Sequence, residues 1–225
     1  MSQRSHPSVQ KKLEPLQQQL LRMGHLADAI LDKALRSVWN RDAKLAGDIA
    51  GDDLPIDRLD VEIDRAVLEI LALRAPVAED LRRVIAIKTA ASDLERVGDI
   101  ARNIATSAIR LSECEPVVAP SLLERLASSS QRVLKNALLS FANFDPILAR
   151  TVLAADDAID SDEREVFRRA LDTLRLNPAT SEQEVHFMLV AKNLERVGDH
   201  ATNIAENVVL VAESLNLKHA EKLAT

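Results

Sequence analysis

Eight carboxylates stand in four pairs, with the members of each pair four residues apart: Asp53 with Asp57, Glu95 with Asp99, Asp156 with Asp160, and Glu195 with Asp199. On a helix, residues four apart lie one turn above each other on the same face. Like charges at that spacing oppose helix formation by roughly 0.2 to 0.5 kcal/mol per pair, so a chain that carries four such pairs is expected to set something against them. Where two pairs from neighbouring helices converge, the result is an oxygen-rich surface that suits a hard cation: Mg, Mn, Ca or ferric iron. Zinc is less expected without Cys or several His. These eight residues are therefore the candidate metal ligands. A solvated helix face is the plainer reading of any single pair, and it is their repetition that brings the ligand reading level with it.

The repetition is internal to the chain. Residues 93–105 return as residues 193–205, displaced by 100 and identical at 10 of 13 positions; they share Leu-Glu-Arg-Val-Gly-Asp and a downstream Asn-Ile-Ala. The segment from Asp53 to Asp57 returns as Asp156 to Asp160, displaced by 103, with Asp60 matching Glu163 in the same register. The difference of three residues falls in the connection between helices, so each half is one three-helix unit and the chain is a duplication.

Apolar residues recur at three and four positions over long distances, as in Leu13, Leu16, Leu20, Met23, Ala27 and Ile30, which is the pattern of helices that bury one stripe. Turn chemistry divides them at Asn40-Arg41-Asp42, at Pro76, between Cys114 and Pro120, at Asp145-Pro146 and at Asn177-Pro178. Six helices are expected, near 8 to 40, 42 to 73, 77 to 113, 121 to 143, 146 to 176 and 181 to 217. Pro55 would kink the second or delay its start. The fold class is all-α, a tandem repeat of two antiparallel three-helix bundles over 8–113 and 121–217.

At 100° per residue, Leu94, Val97, Ala101 and Ile104 form an apolar seam and place Glu95 and Asp99 well around the helix from it. Asp53, Asp57, Asp60 and Asp64 form an acidic stripe beside Ile49, Ile56 and Ile63. The acids are thus expected on an outer face. Gly98 and Gly198 each cost roughly 1 kcal/mol relative to Ala inside a helix, which close approach by a neighbour would explain. Arg102 lies near Asp99 and can neutralise it, whereas the second half has Thr202 at that position, so the second surface is the cleaner metal candidate. Asn103 and Asn203 read as helix-packing or hydrogen-bonding residues with ligation the lesser option, His200 as half-exposed with an extra-ligand role the lesser option, His25 and His186 as packing residues, and Cys114 as inert.

Composition narrows the function. Aromatics are 2% of 225 residues, with 5 Gly and 8 Pro, too few for an all-β fold. The net charge of −6 argues against a nucleic-acid protein that would neutralise phosphates. Charges interrupt every apolar stretch, the first residues have no signal-peptide run, and the lone Cys114 suits a reducing compartment. A cytoplasmic protein is expected, touching a membrane only through partners. There is no glycine-rich phosphate loop or nucleophile elbow, and none of the five histidines lies three residues after a Glu, as a di-iron oxidase would require. The chain reads as a non-enzyme. A histidine phosphotransfer bundle using His200, or a stand-alone metal-binding helical protein, is the alternative.

With these motifs the chain resembles the PhoU family of phosphate-uptake regulators, whose repeated helices carry an acid-x-x-x-Asp motif. Met23 in the first helix and Asp80-Leu81-Arg82-Arg83 before the first motif also look like that family. The resemblance implies tandem three-helix bundles, often a homodimer, that bind iron or zinc clusters through these motifs. It further implies a cytoplasmic negative regulator of the phosphate regulon, an adaptor between the ATPase subunit of the high-affinity phosphate ABC transporter and a membrane sensor histidine kinase. Arg102, and Asn193 in place of Asp93, depart from a uniform pattern.

Overall fold

Arg41 and Phe144 both adopt the left-handed conformation, with φ of 55° and 48°, and each leads into an aspartate that caps the next helix. Asp42 accepts from the Leu45 N–H at 2.9 Å; Asp145 accepts from the N–H groups of Ile147 and Leu148 at 2.9 and 3.1 Å. Such caps satisfy amide donors that the first turn leaves free. The computed structural model describes residues 7–215 and 217. Over these the helices are α1 (Pro7–Asn40), α2 (Ala43–Gly47), α3 (Ile49–Arg74), α4 (Ala78–Glu113), α5 (Ser121–Asn143), α6 (Pro146–Leu153), α7 (Asp156–Leu176) and α8 (Ser181–Glu213), with one 3-10 turn at Pro178–Thr180 and no strand among the described residues.

The second and fifth expected helices are each divided. A short helix, α2 or α6, runs first and packs on the long helix at the centre of its half, burying Ala46 in one case and Ala149 and Val152 in the other. The chain then turns slightly, at Asp48 or at Ala154-Ala155, into α3 or α7. Pro55 lies inside α3, beyond this break, and does not end the helix; its ring is exposed, so the cost is one missing hydrogen bond. The last helix stops at Glu213, where Ser214 turns left-handed with φ 58°, short of the expected 217. Residue 216, counted in that helix, and the first residues, read for a signal, lie outside the described residues.

α1, α3 and α4 pack together, as do α5, α7 and α8, and the halves join chiefly through α4 against α8. Asp93 on α4 meets His200 and Asn203 on α8, while Glu115, just past the end of α4, accepts from Gln183 at the start of α8. The two central helices are therefore antiparallel. Small residues line them, Ala90, Ala101 and Ala105 on α4 and Ala191, Ala201 and Ala205 on α8, all buried, and small residues let helix backbones approach closely. Around this centre Leu16, Leu20, Met23, Ile56, Ile63, Leu94, Ile104 and Phe141 are almost fully buried, each contributing roughly 1.5 to 3 kcal/mol relative to exposure.

Candidate functional site

In the first half the α3 and α4 carboxylates do not project from an outer face as expected; they line the seam between the two helices. Glu95, Asp99, Asp57 and Asp60 are half-buried. Asp53 is only 1% exposed, which corrects the outer-face expectation most sharply. The reason is Gly98: a Cβ at that position would come within 2.3 Å of Asp53 Oδ1, so the missing side chain is the space that the carboxylate fills. Arg102 spans Asp53, at 3.1 Å from Oδ2, and Asp99. The Arg102–Asp53 contact lacks hydrogen-bond geometry, and both Asp53 oxygens are buried without a hydrogen-bond donor. Burial holds the Asp53 carboxyl up at about 6; Arg102 pulls it down, and Asp57, Asp99 and Glu95 push it up again. Burial also raises Asp60 and Glu95. Lys88 balances this end of the stripe at 2.5 Å from Asp64 and 4.0 Å from Asp60, and Arg96 lies 3.3 Å from Asp99.

Gly98→Ala is therefore expected to push the Asp53 carboxylate toward solvent and bring its pKa down from about 6 toward the ordinary range. Carboxyl-carbon NMR titration checks this, and an unchanged Asp53 pKa in the Ala variant would show that the glycine does not set the burial.

The second half carries the same set with fewer cations. Asp156, Asp160 and Glu163 on α7 face Glu195 and Asp199 on α8. Burial raises Asp156, with Asp160, Asp157 and Glu195 adding to it. Asp199 is itself exposed; partial desolvation at the helix surface puts its carboxyl at about 6, reinforced by Glu195, Asp156 and Asp160 and opposed by His200. Lys192 serves Glu195 at 2.9 Å and Glu163 at 3.8 Å. Among the described residues no Lys or Arg forms an ion pair with Asp156, Asp160 or Asp199. Gly198 leaves space here for Ile159, whose side-chain atoms would lie 3.1 and 3.2 Å from an added Cβ.

The donors match a hard cation in kind, with all-carboxylate oxygen, buried oxygens on Asp53 and Glu195 that receive no hydrogen bond, and mutual repulsion that a cation would relieve. As the side chains stand, no three Asp, Glu, His or Cys groups among the described residues are close enough to hold an ion. Binding would therefore need carboxylates to swing together, which short side chains on adjacent turns can do.

Sequence reasoning missed two features. Lys88 and Lys192 act on the matching acids Asp60 and Glu163 but do not occupy matching positions in the repeat, so the duplication does not reveal them. The other is the cluster that joins the halves. His200 Nδ1 lies 2.9 Å from Asp93 Oδ1, and Asn203 donates to the same oxygen at 3.1 Å. Asn203 is thus a hydrogen-bonding residue as read, and His200 is largely covered. His25, expected to pack, is exposed.

The model described as the PhoU domain matches this chain twice, over residues 20–108 and 123–208. The chain belongs to the PhoU family. Both carboxylate sets fall inside the matched PhoU domains, Asp53 to Asp99 in the first and Asp156 to Asp199 in the second. A "Phosphate-specific transport system accessory protein PhoU homolog" from Xylella fastidiosa is 39% identical over 209 residues, covering 91% of this chain and 85% of its own. One from Caulobacter vibrioides is 35% identical over 207 residues, covering 92% and 90%. Among solved structures, PhoU from Pseudomonas aeruginosa superposes with a TM-score of 0.88 at 32% identity, covering 92% of this chain and 99% of that one. The phosphate transport system regulatory protein PhoU from Streptococcus pneumoniae gives 0.87 at 26% identity, covering 93% and 99%. The tandem bundle is thus the PhoU fold.

Proposed function

We propose that this chain is an accessory regulator of phosphate transport, a non-enzymatic adaptor that reports the state of the phosphate transporter's ATPase subunit to a membrane sensor histidine kinase and holds the phosphate regulon off when phosphate is plentiful. What carries the reading is the family match in both halves, supported by relatives of nearly the same length that are named as phosphate transport accessory proteins. No described helix is long and apolar enough to cross a membrane; in this reading the adaptor is a homodimer that works at the inner face of the membrane through its partners.

In this reading Asp53, Asp57, Glu95 and Asp99 form one metal surface and Asp156, Asp160, Glu195 and Asp199 the other. The second is the stronger, because Arg102 already neutralises part of the first. Oxygen donors favour Mg, Mn, Ca or ferric iron; the family resemblance adds iron or zinc. The bound cation would supply charge that draws the paired helices' carboxylates together. Phosphotransfer through His200 is disfavoured, because its ring is engaged with Asp93 and only 17% exposed.

Deleting the protein in its native cell is expected to switch on phosphate-starvation genes even in phosphate-rich medium, read by a reporter or by transcript counts. Recovery of the protein with membranes should depend on the ATPase subunit or the kinase. Silent starvation genes together with no recovered partner would overturn the adaptor reading in favour of stand-alone metal binding.

A further inference from the structure

α1 and α5, the first helices of the two halves, pack antiparallel. Gln17 donates to the carbonyls of Phe141 and Ala142, and Asp28 lies 3.7 Å from Lys135. Between these contacts a Cβ on Gly24 would collide with Leu138, so α5 comes in close there. Beside that contact lies an open groove of about 330 Å³, lined by Leu21, Leu138, Leu139 and Ala142 and by the Asp28–Lys135 pair. Leu139 is 53% exposed. Ligand sites are mostly apolar clefts of about 300 to 1,000 Å³ with a few placed polar groups; this one, at the small end, suits a single large side chain.

The repeat shows what fills the equivalent place. Displaced by 103, Ser37, Asn40 and Asp42 of the first half return as Ser140, Asn143 and Asp145, and Ser37 and Ser140 both donate to the carbonyl three residues back. An antiparallel pair of matched helices has two equivalent ends. Where one end has Gly24 and Leu138, the other has Ala127 and Leu35, and the counterpart of Ala142 is Trp39. Trp39 is half-buried and packs against the core. One end of the α1–α5 pair therefore carries its own indole, and the other carries an alanine and a groove. Arg36 stands where the groove has Leu139, so the fold does not require that exposed apolar lip.

The polar group in the groove selects among aromatic occupants. Asp28 Oδ1 is buried and receives no hydrogen bond, and burial raises the carboxyl against the pull of Lys135. A buried acceptor costs free energy until a donor reaches it. An indole carries one N–H donor on a large apolar body, and phenylalanine carries none. The match is one of charge as well as shape, the positive end of an N–H against a carboxylate oxygen. An anion matches poorly: Lys135 and His25 attract it, but Asp28 and the leucine walls oppose it.

We propose that the α1–α5 groove seats a tryptophan side chain of a protein partner, its ring on Leu138 and Leu139 and its indole N–H donating to Asp28. The proposal rests on the adaptor reading above and gives it a contact surface; tryptophan is enriched among the residues that anchor interfaces.

NMR of the full chain with labelled leucine methyls tests the groove, with N-acetyltryptophanamide as the probe. It is expected to shift Leu21, Leu138 and Leu139 saturably, and the 1-naphthylalanine analogue, as large but without the N–H, should bind at least threefold more weakly. Ala142→Trp and Leu139→Arg, which give this end the residues of the other, should each weaken binding at least tenfold with the far-UV helix signal intact. In cells both should lose recovery with membranes through the ATPase subunit or the kinase. No saturable shift in the wild type, equal binding of the naphthyl analogue, or indifference to both substitutions overturns the tryptophan site. Amide binding that both substitutions abolish while recovery with membranes persists overturns the partner as its source, makes the groove a site for free small aromatic ligands, and leaves the adaptor reading standing. A wild type that is itself not recovered with either partner overturns the adaptor reading and the docked tryptophan together.

Discussion

Asp53→Asn is expected to make the metal-free chain more stable at pH 7, by up to about 3 kcal/mol, and to flatten its pH dependence. Asp53 is covered by α4, and burial holds its folded-state pKa at about 6 against 3.8 for an ordinary aspartate. A shift of about two units corresponds to roughly 3 kcal/mol. The sign follows from proton counts. Between pH 3.8 and 6 the folded chain holds this proton more tightly than the unfolded chain, so stability falls as pH rises through that window, and the full cost remains above pH 6. Asparagine has the same shape and no charge to desolvate. The figure is an upper bound, because Arg102 loses one of its two anions and the new amide enters a pocket with no partner for it. Urea unfolding in the presence of a chelator at pH 4.5 and 7 measures the effect. If the Asn variant is the less stable at pH 7, the Arg102 ion pair outweighs the burial and Asp53 is a structural anchor.

Much of this arrangement is legible in the residues. The displacements of 100 and 103 give the tandem bundles, and Asp42 and Asp145, 103 apart, begin equivalent short helices. Gly98 and Gly198 mark close approach, which the structure bears out at both. The depth of Asp53 is not legible from its own helix. Its phase puts it at the edge of the Ile49 and Ile56 seam, and burial is decided by an absent side chain on α4. The contact between the halves did leave a trace. Within the repeat, Asp93 becomes Asn193 and Ile100 matches His200, two departures that answer each other, since Asp93 meets His200 across the halves. Freed of a histidine to meet, Asn193 donates to its own helix at Leu189. Paired departures from a repeat are what a contact across its symmetry axis looks like, but in one sequence they read as isolated irregularities.

Asp199→Ala is expected to lower metal binding by tenfold or more, while Asn203→Ala, one turn further along the same helix, changes it by less than about twofold. Asp199 stands among Glu195, Asp156 and Asp160, and that crowding adds to the partial desolvation that puts the carboxyl of this exposed residue at about 6. A cation that draws these groups together must displace that proton, so occupancy should drop as pH falls below about 6 and rise toward neutrality. Removing Asp199 takes away an anionic oxygen with which no Lys or Arg forms an ion pair among the described residues, Lys192 being held by Glu195 and Glu163. Asn203 is committed elsewhere, because its amide donates to Asp93 on the other half. Its loss should therefore lower the unfolding midpoint rather than the metal content, since Asp93 is left buried with one donor fewer. Metal-free Asp199→Ala should go the other way and gain stability at pH 7 as a crowded charge disappears. The crossed outcome separates a ligand from a helix-packing residue. It is read by elemental analysis and Mn titration of protein purified without an affinity tag, beside thermal unfolding in chelator. Equal metal in wild type and Asp199→Ala would leave the second-half carboxylates as a crowded surface with no ion to hold, and the repulsion among them would then be a cost carried for some other contact of α8.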